Sequence, residues 1–119
     1  MVLYLLFIYI EKKEIMILVE SDEYLFNFSN AHVIIFENQE ISVYYTPDNI
    51  MKIKGYENVD TSEFEEYFFK YEENEKTMYF NRFSFLYLKR KENSSVEFHF
   101  FDHFSIEVDL DYQKLISQA

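Results

Sequence analysis

The sequence predicts an α+β domain with a mostly antiparallel β-sheet of about 7–9 short strands and one main helix near residues 61–74. Three observations carry this. Apolar residues recur in short runs, some in strict two-residue alternation, and polar turn signals separate the runs. One segment departs from that pattern and repeats aromatics at helical spacing. The 119 residues include 14 Phe and 11 Tyr, large side chains that favour strands and can fill a core despite the high charge. The length suits a single domain, and no linker, repeat or low-complexity tract divides it, so residues 1–119 read as one acidic unit.

Met1 to Ile10 is apolar throughout. A membrane-spanning helix needs about 20 such residues, and the stretch has neither a basic leader nor a small-residue cleavage site after it. It reads as a buried strand, Val2 to Ile10, paired with Ile15 to Val19 around a turn at 11–14. A start at Met16 would remove it. Tyr24, Phe26 and Phe28 alternate with Leu25 and Asn27. His32 to Glu37 and Ile41 to Tyr45 form a second hairpin around Asn38-Gln39-Glu40. Thr46-Pro47-Asp48-Asn49 is a turn, because proline pre-sets its second position. Ile50 to Tyr56 follows, weakened by Gly55.

From Ser62 onward the aromatics fall at Phe64, Tyr67, Phe68 and Tyr71, one face of a helix. Asp60 with Glu63, and Ser62 with Glu65, have capping-box spacing. Strands then resume at Thr77 to Lys89, Val96 to Phe101 and Phe104 to Leu110. The last alternates Phe104, Ile106, Val108 and Leu110 against Ser105, Glu107, Asp109 and Asp111. Tyr112 to Ser117 is read as one short helical turn.

Catalytic motifs are missing. With no cysteine, there is no disulfide framework, thiolate nucleophile or thiolate metal site. With one glycine, a phosphate-cradling loop is excluded, since such loops need glycine for close backbone approach. His99 and His103 have the spacing of a helical zinc pair, but in a strand that spacing separates them by about 13 Å. Among 22 acids a carboxylate pair carries no information. The expectation is a non-enzymatic protein without cofactor or metal.

The net charge of −11 repels nucleic acid and anionic membranes and attracts basic protein surfaces. It is concentrated: residues 57–75 hold eight carboxylates against Lys70 alone. On the expected helix, Glu65, Glu66, Glu72 and Glu73 share the face opposite the aromatic stripe, with Phe69 among them. An aromatic ringed by charge has the composition of a binding hot spot. Glu107, Asp109 and Asp111, with Glu97 nearby, form a second acidic set on the last strand. These eight residues, Glu65, Glu66, Phe69, Glu72, Glu73, Glu107, Asp109 and Asp111, are the expected partner-binding site. Arg82, Lys89, Arg90 and Lys91 are the one basic concentration, able to pair with acidic groups within the molecule or in a homo-oligomer.

In size, charge, aromatic content and lack of catalytic motifs, the chain resembles small acidic inhibitors of phages and mobile elements, including DNA-mimic anti-restriction and anti-CRISPR proteins. That likeness implies a cytoplasmic anti-defence protein that blocks a basic nucleic-acid-binding cleft without itself binding nucleic acid or membrane. The alternative is an immunity protein that neutralises a cognate bacterial toxin.

Overall fold

The computed structural model describes residues 4–9, 15–20, 24–46, 48–55, 61, 62, 64–92 and 94–118. The expected turn at 11–14, the turn proline Pro47, and the acids Glu57, Asp60 and Glu63 lie outside the described residues.

The described residues form eleven strands and one short helix: β1 (Tyr4–Tyr9), β2 (Ile15–Glu20), β3 (Leu25–Asn27), β4 (Val33–Glu37), β5 (Glu40–Thr46), β6 (Asn49–Lys54), β7 (Phe68–Glu73), β8 (Lys76–Asn81), β9 (Phe85–Arg90), β10 (Ser95–Phe100), β11 (Ser105–Asp109) and α1 (Tyr112–Ile116). They make three antiparallel sheets, ordered β1-β2-β3, β6-β5-β4-β8-β7 and β11-β10-β9. The five-stranded sheet is apolar on both faces. Ile34, Ile41, Val43, Phe68 and Tyr79 pack with Val19 and Phe28 on one face. Val33, Ile35, Met78 and Phe80 pack with Val96, Phe98, Phe100 and Phe104 on the other. Three layers of sheet follow. Central strands buried on both sides explain the unbroken runs Val33-Ile34-Ile35-Phe36 and Met78-Tyr79-Phe80, where a half-exposed strand would alternate.

Specific contacts tie the layers. Phe80 and Phe98 stack at 4.1 Å between ring centroids, nearly parallel, joining the central sheet to β10. Tyr45 Oη donates to the Asn27 carbonyl at 2.6 Å, and burial pushes this phenol up to about 12. His32, just before β4, is buried against the rings of Phe100 and Phe104, which also touch each other.

The expected helix at 61–74 is not formed. Only Phe64–Glu66 makes a single 3₁₀ turn, and 68–73 is the edge strand β7, paired with β8 from Phe68↔Asn81 to Glu73↔Lys76. Phe64, Tyr67, Phe68 and Tyr71 fit helical spacing, but an edge strand covered on both faces also needs aromatics on both. Phe68 enters the first core, while Tyr71 and Phe69 join the second. The strand also relieves a conflict, since a helix would gather four carboxylates on one face. In β7, Glu72 and Glu73 project to opposite sides. Besides this extra strand, the run Thr77 to Lys89 divides in two at Arg82-Phe83-Ser84. No glycine or proline marks that turn. The buried Asn81 side chain makes it, accepting from Phe83 N at 2.8 Å and Ser84 N at 3.2 Å.

The expected C-terminal helical turn is α1, capped by Asp111, whose carboxylate accepts from Gln113 N and Lys114 N. Leu115 anchors it in the second core. The Gln118 carboxamide both donates to and accepts from the Lys70 backbone, and Lys114 Nζ donates to the Glu72 carbonyl. The C-terminal segment thus occupies polar groups on the open side of β7, which would otherwise invite pairing.

Burial lowers the pKa of His32 below the ordinary imidazole value, with Asp102 partly opposing. On acidification the unfolded chain therefore protonates at this position first. The stability it contributes is complete above about pH 6.5 and is lost as pH falls below that toward the folded value. The melting temperature should fall between about pH 7.5 and 5.5, and the fall should be smaller in His32→Gln. Thermal unfolding at the two pH values checks this, and equal slopes would refute it.

Candidate acidic interaction groove

Two tight hairpins end side by side on the central sheet. β4 and β5 turn through Asn38-Gln39, both left-handed at φ 53° and 59°, a two-residue turn whose twist suits antiparallel strands. β7 and β8 turn through Asn74-Glu75, with Asn74 at φ 56°. Asparagine tolerates this conformation better than most residues. The register sets Glu37 opposite Lys76, and Lys76 opposite Glu73, in one row across the end of the sheet. By strand alternation this row lies on the face that carries the second core, toward β11.

β11 completes the site. Its burial alternates, with Ile106 and Val108 half-buried against the second core and Ser105, Glu107 and Asp109 exposed. Between β11 and the hairpin ends lies a groove of about 870 Å³, lined by Glu37, Glu73, Glu75, Glu107 and Asp109 against Lys76 alone, with Met78 and Val108 as its apolar part. Glu73 and Asp109 also line an adjoining cleft of about 530 Å³, which adds Asp111, Arg90, Lys91 and Tyr112. There the Arg90 guanidinium lies 4.4 Å from the Tyr112 ring centroid. The combined groove is strongly acidic at one end and mixed at the other. β11 is the terminal strand of its sheet, so one of its edges has no strand partner among the described residues.

The eight residues expected to bind a partner separate into two groups. Glu73, Glu107 and Asp109 meet in the groove, and Asp111 lines its extension while capping α1. Glu65 and Glu72 lie elsewhere and are compensated: Lys70 Nζ is 3.5 Å from Glu65 and 2.9 Å from Glu72, and Arg82 and Lys114 share their cleft. The hydrogen bond to Glu72 is the main cause of a raised Lys70 pKa. Glu66 is exposed and lines neither part of the groove. Phe69 is not an exposed anchor. It is half-buried, packs edge-on against Phe85, and lies 4.3 Å under the Arg82 guanidinium. The helical face that would have gathered these residues does not exist, because their segment is a strand.

Glu97 lies directly across from Glu107 but is engaged. His99 hydrogen-bonds it at 2.5 Å and Lys91 lies 3.4 Å away, which together hold its carboxyl below the usual range. Ser95 Oγ donates to Glu107 at 2.8 Å. His99 stacks on Tyr87, while His103 is exposed in the turn after β10. Among the described residues no three His, Cys, Asp or Glu side chains gather closely enough to hold a metal ion, and no helix is long and apolar enough to cross a membrane.

Glu37, Glu75 and Lys76 line the groove although the sequence pattern does not place them in the partner site. A signal was present: both hairpins turn at a Glu-Asn pair, Glu37-Asn38 and Glu73-Asn74, so each delivers acids to a strand end. No family model, curated protein or solved structure matches the chain.

Proposed function

We propose that the protein is an acidic inhibitor that works by binding, an anti-defence protein of a phage or mobile element whose groove engages the basic nucleic-acid-binding cleft of a host effector. One observation carries this reading. Acids from two hairpins and from β11, far apart in the chain, converge on one groove with a single lysine among them. The other acidic patch, around Lys70, is neutralised locally. Carboxylates in excess of their one lysine, lining a groove, suit Lys and Arg side chains that otherwise hold phosphates. The unpartnered edge of β11 lets an extended basic segment add its backbone as well. The same field opposes the counterion release that drives nucleic-acid binding, so the protein itself leaves DNA and RNA unbound.

The test is capture from host extract with the wild-type protein and with Glu73→Lys/Glu107→Lys/Asp109→Lys. The wild type should retain a basic nucleic-acid-binding protein, the groove variant should not, and short duplex or single-stranded nucleic acid should release it. Capture that survives both groove reversal and nucleic-acid competition refutes the reading. A captured toxin would assign the groove to an immunity protein.

A further inference from the structure

A second polar cluster lies at the opposite end of the outer sheet. His32 precedes β4, Ser84 precedes β9, and Asp102 sits in the tight turn between β10 and β11. His32 is 3% exposed. Its Nδ1 lies 2.8 Å from Ser84 Oγ. Its Nε2 has no hydrogen-bond partner and faces the Asp102 carboxylate, with Oδ2 at 3.7 Å. Asp102 is left-handed at φ 65° and His103 at φ 58°, a backbone cost that non-glycine residues bear only where surrounding structure enforces it. Ser84 is half-buried and firmly placed. Its N–H is held by Asn81, and its carbonyl accepts from Phe101 N at 3.0 Å. Phe83, Leu86 and Phe101, neighbours of Ser84 in sequence or by this hydrogen bond, are each about half exposed or more.

We propose that Ser84 is an acyl-accepting nucleophile, with His32 as its general base and Asp102 as a positioning residue, acting on small esters with an apolar acyl chain. The chemistry follows the contacts. Taking the Ser84 proton requires His32 to be bare at Nδ1 and protonated at Nε2, the tautomer that aims an N–H at Asp102. As Ser84 Oγ bonds to the ester carbonyl carbon, its proton moves to Nδ1, and the imidazolium is stabilised by the Asp102 carboxylate. The ester C–O bond then breaks, and the alcohol leaves with the proton from His32. Water next attacks the acylated Ser84, giving its proton to His32. The acyl C–O bond to Ser84 breaks, the carboxylic acid departs, and the proton on His32 returns to Ser84 Oγ. Phe83, Leu86 and Phe101 offer apolar surface for the acyl chain. Burial keeps His32 in its neutral, base-competent form at neutral pH. Three residues from three distant segments leave no local motif, as in other arrangements of this kind.

The test uses the full chain and a fluorophosphonate reporter, which bonds covalently to an activated serine hydroxyl with loss of fluoride. One adduct should form, mapped by peptide mass to Ser84. Ser84→Ala should abolish it, and Ser105→Ala, on the exposed face of β11, should label as the wild type does. His32→Gln should slow labelling by about 100-fold or more, the usual range for loss of a general base. Asp102→Asn should slow it less and move the midpoint of the rate–pH profile downward, because the carboxylate that favours the imidazolium is gone. Burst release of 4-nitrophenol from 4-nitrophenyl butyrate should follow the same order. If His32→Gln does not fold, Ser84→Ala and the two pH profiles decide. No adduct at Ser84 in the native wild type, or a rate that ignores pH and Asp102, would overturn the proposal.

Discussion

Phe98→Ala is expected to lower stability by about 3–5 kcal/mol, the usual cost of removing a fully buried phenylalanine. Phe98 is fully buried and stacks face-on against Phe80 at 4.1 Å, with Phe85 and Phe100 also packed on it. Truncation opens a cavity between two sheets, where neighbours fixed by backbone pairing on both sides can collapse only partly. A domain of this size has roughly 5–15 kcal/mol of total stability, so the variant should lie near the folding threshold. The melting temperature should drop by roughly 10–25 °C. Leu86→Ala is the control, because Leu86 is 51% exposed beside the irregularity where β9 shifts register against β10. Its change should stay within about 0.5 kcal/mol. Thermal or urea unfolding of both variants checks the pair. A small effect at Phe98 would mean that the outer sheet is not packed on the central one.

Much of the fold is legible in the residues, and the departures have physical causes. Alternation in 104–110 marks β11 and its exposed acids correctly, because a strand with one buried face must alternate. Asn38 marks its hairpin, and Tyr112 to Ser117 its short helix. Phe64 to Tyr71 misleads because its helical spacing is shared by two elements: Phe64 anchors a 3₁₀ turn in the first core, while Phe68 and Tyr71 fill opposite faces of the edge strand β7. What decides is tertiary: β8 lies alongside, and pairing satisfies the backbone of 68–73. The turn at 82–84 is hidden because its signal is the side chain of Asn81, the last residue of the preceding strand.

The site is less legible than the fold. Glu107 and Asp109 are found on one strand by alternation, but their neighbours come from hairpin register that local spacing does not contain. The helical premise gathered Glu65, Glu66, Glu72 and Glu73 on one face. The structure keeps only Glu73 for the groove and gives Glu65 and Glu72 to Lys70. Phe69 likewise leaves the acidic face and packs half-buried against Phe85 and Arg82. Charge concentration in sequence is therefore a poor guide to charge concentration in space when the segment is a strand, because alternate residues part company.

The largest functional effect should come from reversing the groove. Steering by a coherent field raises association rates by 10- to 10³-fold at low salt, and salt screens it over about 8–10 Å. Glu73, Glu107 and Asp109 line one groove and under the proposed reading meet the basic surface together, whereas Glu65 and Glu72 are offset by Lys70. The most direct measurement is therefore the association rate of the captured partner with two variants, across ionic strength. Glu73→Lys/Glu107→Lys/Asp109→Lys should associate at least about tenfold more slowly than wild type and lose most of the salt dependence. Glu65→Lys/Glu66→Lys/Glu72→Lys adds the same charge away from the groove and should slow association much less than the groove variant does. If the second variant abolishes association while the first leaves rate and salt dependence intact, the groove is not the binding site.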